Sequence, residues 1–295
     1  VGNVVFRQDS MYMYCDSALF FQEANSFNAY HNIRVEQGDT LFLYGDSLFY
    51  NGNTRILKIR DNVRIENTTM VLLTDSLNYE RDAELGYFFA GGTLLDEENT
   101  LTSDYGQFHT PTKMATFMKD VFLESEDYNL SSDTLLYNTD LHTAYFVSPT
   151  EIISDETTIH TNNGNFNTDL KEAVLLNRSV IIQKDGDQTM VGDSIVFNEA
   201  EGQAEAFGNV EIRNYTDKLD VDGEYAYFNH QNDSAVVTGN ALAIEYSTGD
   251  SLYIHADTFR LLTFYNATKD TVLYREMRAF NKVKAYRTDM QMVAD

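Results

Sequence analysis

Apolar and polar residues alternate along most of this chain, in stretches of roughly eight to eleven residues. One such series places Leu57, Ile59, Val63 and Ile65 on a single face. A period of two is typical of β-strands with one buried face, and the clusters of Asn, Gly, Asp and Thr between the stretches are typical of turns. The pattern predicts an all-β protein with about twenty strands and little helix.

A short phrase, GDSLFY at residues 45–50, recurs in degenerate form along the whole sequence. With its Asp as the marker, most successive copies are 29 to 31 residues apart, and the last two intervals are 35 and 38 residues. Two turn-forming clusters in every copy imply two strands per copy. The ten marker positions are Asp16, Asp46, Asp75, Asp104, Asp133, Asn162, Asp193, Asp222, Asp257 and Asp295.

Each copy has an aliphatic residue three positions before the marker and usually an aromatic residue four positions after it. In the eighth copy these roles fall to Leu219 and to Tyr227, which is displaced by one. A separation of seven would put the two side chains on opposite faces of a regular strand. We therefore expect a bulge or corner at each Asp-Ser step, which lets both side chains face the core.

Near-equivalent repeats of this kind predict an elongated, slanted β-jelly roll or a solenoid-like stack of about ten two-strand units of 29–31 residues. We expect one continuous repeat domain over residues 1–295 that begins and ends in mid-repeat. Stacking would merge the alternating apolar positions into one long apolar lane. Pro111 and Pro149, the two prolines of the chain, fall in predicted connections, as a sheet requires.

The chain is strongly acidic, with 46 Asp and Glu against 21 Lys and Arg and a formal net charge of −25. Such a field repels nucleic acid and anionic membrane surfaces, so neither is an expected partner. The sequence contains no apolar run of about 18 residues, so no transmembrane segment is expected. The single cysteine, Cys15, excludes an internal disulfide, and its apolar neighbours indicate a buried, unreactive thiol.

Residues typical of catalysis do not cluster in this sequence. The six histidines lie at irregular intervals, and no phosphate loop, nucleophile elbow or dinucleotide fingerprint occurs. We predict that the protein is not an enzyme and has no catalytic residue, no metal site and no cofactor.

A divalent cation on the marker column stays open as an alternative, since carboxylates stacked about 5 Å apart repel one another unless they are bonded or bridged. Asn162, which occupies one marker position without a charge, favours a structural role for the column.

The paired phrases Gly-Asn-Val-x-Ile and Asp-Ser-Leu-x-Tyr, repeated at this spacing, resemble the OstA-like family. This is the LptA family of periplasmic lipopolysaccharide-transport proteins, and it also includes the N-terminal domain of LptD. The stretch from Arg278 to Asp295 looks like the versions found in Bacteroidetes-type bacteria. The resemblance implies a β-jelly roll in the periplasm of a gram-negative cell, possessing an apolar interior along which lipopolysaccharide acyl chains pass. It also implies a role in outer-membrane biogenesis and end-to-end partners built from the same jelly roll, including further copies of this chain.

The alternating apolar positions supply a predicted lipid-binding groove. Its residues are Val63, Ile65, Leu72, Leu77, Tyr79, Val121, Leu123, Leu130, Leu135, Tyr137, Val180, Ile182, Ile195, Phe197, Val210 and Ile212. The same side chains could instead fill a dry core that touches no ligand. The negative charge puts recognition of lipid phosphates in doubt unless divalent cations or basic residues such as Arg55, Lys58 and Arg60 compensate.

The main hypothesis is therefore a non-enzymatic periplasmic module, associated with the outer membrane, that binds lipopolysaccharide or a related lipid and bridges inner and outer membranes. One alternative is a structural or adhesive β-solenoid on the cell surface, with an acidic face that binds calcium or glycans. A second alternative is a polysaccharide-active β-helix enzyme, which would need carboxylates that converge in one cleft across several layers. Saturable uptake of a lipid by the purified protein would distinguish the main hypothesis from the solenoid.

Overall fold

The structure, a computed structural model, describes residues 3–8, 11–38, 41–96, 99–183, 186–198, 200–229, 231–266 and 271–294. It divides into two compact units, Val1–His142 and Thr143–Asp295. Each unit consists of strands that pair antiparallel with their neighbours, and no helix occurs among the residues described. The prediction of an all-β fold is confirmed.

The described residues of the first unit form thirteen strands. They are β1 (Val4–Gln8), β2 (Met11–Cys15), β3 (Ser17–Phe21), β4 (Ser26–Gln37), β5 (Leu41–Asn51), β6 (Ile56–Glu66), β7 (Val71–Glu80), β8 (Leu85–Phe88), β9 (Gly92–Leu95), β10 (Asn99–Ser103), β11 (Tyr105–His109), β12 (Met114–Ser125) and β13 (Tyr128–Asn138). Most long strands form hairpins with both neighbours in the sequence, as β5 does with β4 and β6.

The second unit continues the same plan with another thirteen strands. They are β14 (Thr143–Phe146), β15 (Thr150–Ser154), β16 (Thr157–Thr161), β17 (Asn163–Asn167), β18 (Glu172–Gln183), β19 (Gln188–Asn198), β20 (Gln203–Asn214), β21 (Leu219–Asn229), β22 (Ser234–Glu245), β23 (Leu252–Tyr265), β24 (Val272–Phe280), β25 (Val283–Arg287) and β26 (Met290–Ala294).

The described residues form 26 strands rather than about twenty because six of the expected strands are each divided in two at a bend. The divided strands are β2/β3, β8/β9, β10/β11, β14/β15, β16/β17 and β24/β25. The division falls at the marker or at the phrase opposite it, so the two-strand repeat itself is confirmed. Pro111 lies in a turn and Pro149 in the connection between β14 and β15, as predicted.

Each strand that carries a marker bends at the marker residue, and the alternation of inward-facing and outward-facing side chains changes phase there. In β5, Gly45 and Leu48 are both buried while Asp46 between them is exposed, so the predicted corner at the Asp-Ser step is confirmed. The extra residue of the bulge lies in the facing strand, because Tyr30 pairs with Ser47 but Ile33 pairs with Gly45. The Asp-Ser strand therefore turns the corner without an insertion.

The bulge explains the second recurrent phrase of the sequence. Two successive residues with positive φ face each bend, as in His31 (62°) with Asn32 (50°) and Gly208 (70°) with Asn209 (45°). Gly, Asn and Asp tolerate this left-handed region better than other residues. The recurrent Asn of this phrase thus suits the backbone geometry, and Asp120, Arg178 and Lys282 adopt the same conformation in other copies.

The eighth copy requires a correction of register. Val221, which is 1% exposed, pairs with Ile212 and with Ala243 at the position expected for Leu219. The bend marker is therefore Glu224 instead of Asp222, and it faces the bulge at Gly239 and Asn240. Four positions after Glu224 stands Phe228, so no aromatic residue is displaced. Asp295, the expected tenth marker, lies outside the described residues.

Candidate functional site

In each unit the inner face of the sheet is folded along the line of bends, so that every long strand has two halves. In a strand that carries a marker, we call the half before the marker arm A and the half after it arm B. The halves of the other strands belong to the arm with which they pair, and the line between the arms is the crease. In the first unit, a Cβ added to Gly45 on arm A would lie only 2.5 Å from the methyl Cγ2 of Ile59 on arm B. In the second unit Cγ1 of Val237 lies 2.6 Å from the corresponding point at Gly223. Small residues at these positions let the arms close over the crease.

The residue just before the marker is small in every described copy. The set comprises Cys15, Gly45, Thr74, Ser103, Ser132, Thr161, Gly192, Gly223 and Ala256. Four of its hydroxyls donate across the bend to the carbonyl two residues later, for example Ser103 Oγ to Tyr105 O at 3.1 Å and Thr161 Oγ1 to Asn163 O at 2.9 Å. Sequence reasoning missed this column, although the signal was present as a recurring small residue before each Asp.

Arm A carries a ladder of apolar side chains on its inner face, one per strand. In the first unit it comprises Phe6, Met13, Val35, Leu43, Ile65, Leu72, Leu94, Leu101, Leu123 and Leu130. In the second unit it comprises Ile152, Ile159, Ile181, Met190, Ile212, Val221, Ala243, Ile254, Ala285 and Met292. No polar side chain interrupts either series.

Arm B carries the matching ladder, which is richer in aromatic residues. In the first unit it comprises Phe20, Phe27, Tyr50, Leu57, Tyr79, Gly86, Phe108, Ala115 and Tyr137. In the second unit it comprises Ala144, Phe166, Ala173, Phe197, Ala204, Phe228, Ala235, Leu261 and Met277. In each unit the two ladders and the crease between them make up a continuous apolar inner surface, which we call the trough.

Fourteen of the sixteen predicted groove residues lie on this inner face. Seven are buried, chiefly along the crease, namely Val63, Leu77, Val121, Leu130, Leu135, Ile195 and Val210. Seven are half-buried on the arms, namely Ile65, Leu72, Tyr79, Leu123, Tyr137, Phe197 and Ile212. Contact with a ligand needs accessible surface, so only the half-buried group could line a binding trough in this conformation.

Val180 and Ile182 require a correction, because both lie on the opposite face. Ile181 pairs with Ile159 and Met190 and so belongs to the arm A ladder, and its sequence neighbours must point the other way. The run Ser-Val-Ile-Ile obscured the alternation, since three consecutive branched residues fit either phase. Comparison with Val121 and Leu123 in the preceding long repeat would have set the phase at Ser179 and Ile181.

The marker carboxylates are bonded to side chains of the facing bulge. Asn32 Nδ2 donates to Asp16 Oδ2 at 2.8 Å, and Asn62 Nδ2 donates to Asp46 Oδ2 at 2.6 Å. In the second unit Asn209 Nδ2 donates to Asp193 Oδ2 at 2.7 Å. These bonds and the bend give the recurrent Asp a structural role in these copies.

Other candidate chemistry is sparse in the described residues. Among them no group of three or more His, Cys, Asp or Glu side chains is placed to hold a metal ion. Cys15 is buried in the crease, as predicted, and burial raises the pKa of its thiol, with a further contribution from the neighbouring Asp16 carboxylate. Burial, together with a hydrogen bond to Glu205, raises the pKa of Tyr225 to about 12, so this phenol stays protonated. No described helix could cross a membrane.

Comparison with known protein families shows which family this chain belongs to. A family model for OstA-like proteins matches residues 1–133 and 170–248, which together make up well over half of the chain. The chain belongs to the OstA-like family. This confirms the family resemblance drawn from the repeated phrases, and with it the prediction of a transport protein instead of an enzyme. The resemblance to Bacteroidetes-type versions stays a prediction.

A search of curated proteins finds no match to this OstA-like chain. Among solved structures, one similar protein is LptH from Pseudomonas aeruginosa, described as the LptA-homologous periplasmic component of the lipopolysaccharide transport device. It is 12% identical, with 44% of this chain and 76% of LptH covered and a TM-score of 0.21. A similarity at that level does not bear on the details of the fold.

Proposed function

We propose that this OstA-like chain is a periplasmic lipid-transport module that holds acyl chains of lipopolysaccharide, or of a related lipid, in its apolar trough. The observation that carries the proposal is the pair of uninterrupted apolar ladders on the inner face of each unit, in which many side chains remain half-buried. These half-buried positions flank the buried crease, and their accessible surface supports contact with an apolar ligand. Lipopolysaccharide is the cargo that the family resemblance implies.

The ladders suit a cargo that must be held and also moved. Burial of an acyl chain gains about 0.8 kcal/mol for each methylene, and this gain needs no directional contact. Successive strands offer nearly equivalent positions, so a chain can shift by one strand without losing most of its contacts. A transport module needs no catalytic group for such movement.

Further sheets of the same kind are the proposed partners at the edges of the two units. Edge strands β1 and β3 of the first unit expose large apolar side chains, with Phe20 at 67% exposure. Edge strands β24 and β26 of the second unit do the same, with Val293 at 74% exposure. Another jelly roll, or a second copy of this chain, could cover these edges and extend the trough towards a bridge between inner and outer membranes.

Recognition of the lipid phosphates is not part of the proposal. Two of the three basic residues considered for that role are already engaged, since Arg55 pairs with Asp82 at 2.7 Å and Arg60 donates to Leu77 O at 2.9 Å. The net charge of −25 opposes an anionic head group. The acyl chains are therefore the part of the cargo that this chain would hold.

Adjacent residues on β12 provide the test. Leu123 is half-buried on the inner face, and Phe122 is 40% exposed on the outer face. We expect saturable binding of a fluorescent fatty acid and of lipopolysaccharide by the unaltered chain, strong loss in Leu123→Asp, and little change in Phe122→Asp. Thermal melting would verify that both variants are folded.

Two results would contradict the proposal. One is the absence of saturable uptake by the unaltered chain, which would favour the surface-solenoid alternative. The other is equal binding by the two variants, because a charge in the trough must oppose an apolar ligand far more than a charge on the outer face.

A further inference from the structure

The composition of the arm B ladder changes along the chain. In its later part, aromatic residues alternate with small residues that lie seven positions further along the sequence. In six consecutive copies the aromatic residue, which is Tyr79, Phe108, Tyr137, Phe166, Phe197 or Phe228, is followed seven positions later by a small residue. The small residues are Gly86, Ala115, Ala144, Ala173, Ala204 and Ala235. In the two preceding copies the same position holds Phe27 and Leu57.

Strand pairing converts the alternation into aromatic side chains separated by gaps. Ala204 pairs with Phe197 on one side and with Phe228 on the other. Phe197 and Phe228 are therefore two strand spacings apart, about 9.6 Å. Because a carbon layer is about 3.5–4 Å thick, this spacing leaves room above the half-buried Ala204 for about one row of methylenes. Both rings are half-buried, so their faces remain partly accessible.

The first part of the ladder has no such gaps. Phe27, Tyr50, Leu57 and Tyr79 follow one another on adjacent strands, and the rings of Phe27 and Tyr50 are 5.5 Å apart. Phe6 on arm A reaches across and stacks on Phe27, with ring centroids 5.5 Å apart. This ring contact joins the two arms. The trough is filled there by its own side chains.

We propose that the gaps above Gly86 and Ala204, which are half-buried and lie between two paired aromatic residues of one unit, each seat one unbranched acyl chain lying along the strands. The filled section from β4 to β6 seats none. The inference rests on the proposed function and adds the positions and the shape of the cargo. The aromatic side chains and their small neighbours are specificity-determining residues, since a branched or fused-ring lipid is wider than one row of methylenes.

Filling a gap is the first test, with hexadecanoic acid as the probe and native mass spectrometry to count bound molecules. Ala204→Leu places a branched side chain between Phe197 and Phe228, and we expect one fewer bound molecule or about tenfold weaker uptake, the loss of roughly two buried methylenes. Gln203→Leu is the matched control, because this neighbouring side chain points to the outer face of the same strand.

Opening a gap is the converse test. Leu57 pairs with Tyr50 and Tyr79, so Leu57→Ala reproduces the aromatic and small alternation in the filled section. We expect this variant to bind one additional molecule. The control Ile56→Ala, which removes a similar side chain from the opposite face, should bind no additional molecule. A loosened protein would also gain apolar binding, so the gain counts only if Leu57→Ala keeps the cooperative melting of the unaltered chain. With that check, the second test stays informative if Ala204→Leu is unstable.

Photo-crosslinking of the unaltered chain with a diazirine derivative of hexadecanoic acid locates the bound molecules directly. We expect crosslinks within 79–108 and 197–228 and none within 26–57. Crosslinks concentrated in 26–57, or unchanged counts in both Leu57→Ala and Ala204→Leu, would overturn the inference while leaving acyl binding intact. Failure of the unaltered chain to bind any hexadecanoic acid would overturn both the inference and the proposed function.

Discussion

At the scale of single residues, the closure of the sheet depends on the absence of a side chain at Gly45. A Cβ at this position would lie 2.5 Å from the Ile59 methyl, well inside the contact distance of two carbons. The backbone of Gly45 is not in the left-handed region, so the requirement is one of space and not of backbone conformation. The hydrophobic contact across the crease thus dictates the Gly of GDSLFY.

Gly45→Ala should therefore destabilise the protein by overpacking, by about 1–3 kcal/mol. Gly86→Ala is the control, since its added Cβ would meet Tyr79 at an ordinary 3.7 Å. Urea unfolding followed by circular dichroism measures both changes. Equal stability of the two variants would show that the arms adjust at the crease without cost.

At the scale of elements, the repeated bulge couples each marker to the strand that faces it. Asn62 has a φ of 51° and also donates to Asp46 Oδ2 at 2.6 Å. Two separate contributions therefore hold the bend, namely tolerance of the left-handed conformation and one charge-assisted hydrogen bond.

Substitution at Asn62 separates these two contributions. Asn62→Ala loses both and should cost about 2 kcal/mol, whereas Asn62→Gly keeps the backbone conformation and should cost only about 1 kcal/mol. Equilibrium unfolding of both variants in urea measures the difference. If alanine proved as stable as asparagine, the recurrent Asn would need another explanation.

Alternation and recurrence predicted the strands, the two-strand repeat and the corner at the Asp-Ser step, because these depend on local period and turn chemistry. They could not place the extra residue of the bulge, since the register between strands depends on both partners. The phase at Val180 and Ile182 was wrong because three consecutive branched residues fit either phase. The equivalence of Glu224 with the other markers was also hidden, because Asp222 and Leu219 imitate the motif two residues earlier.

Part of the site could also be predicted from the sequence. Inner positions such as Ile65 and Phe197 follow from alternation, whereas the division between a buried crease and half-buried arms depends on how the sheet folds on itself. Leu77 and Tyr79 differ by only two positions in sequence, yet one is buried in the crease and the other is half-buried on arm B. Periodicity cannot express that difference.

At the scale of the whole molecule, the main electrostatic feature is a net charge of −25 carried mainly on exposed residues. Like charges repel at long range and oppose the compact state, and salt screens this repulsion with a Debye length of about 10 Å at 0.1 M. In three copies an amide donor, from Asn32, Asn62 or Asn209, stabilises the charged form of the marker carboxylate. We therefore expect the repulsion to be relieved by general screening, without a specific cation.

Two salts at equal ionic strength test this view of the charge. We expect the melting temperature to rise by a few degrees between 10 mM and 300 mM NaCl, as screening removes general repulsion, and CaCl2 at matched ionic strength to give no additional increase. Asp46→Asn and Asp193→Asn should leave the difference between the salts unchanged, because each removes a carboxylate that is bonded within the protein. An additional stabilisation by calcium that disappears in these variants would instead identify the marker column as a cation site and would favour the surface-solenoid alternative.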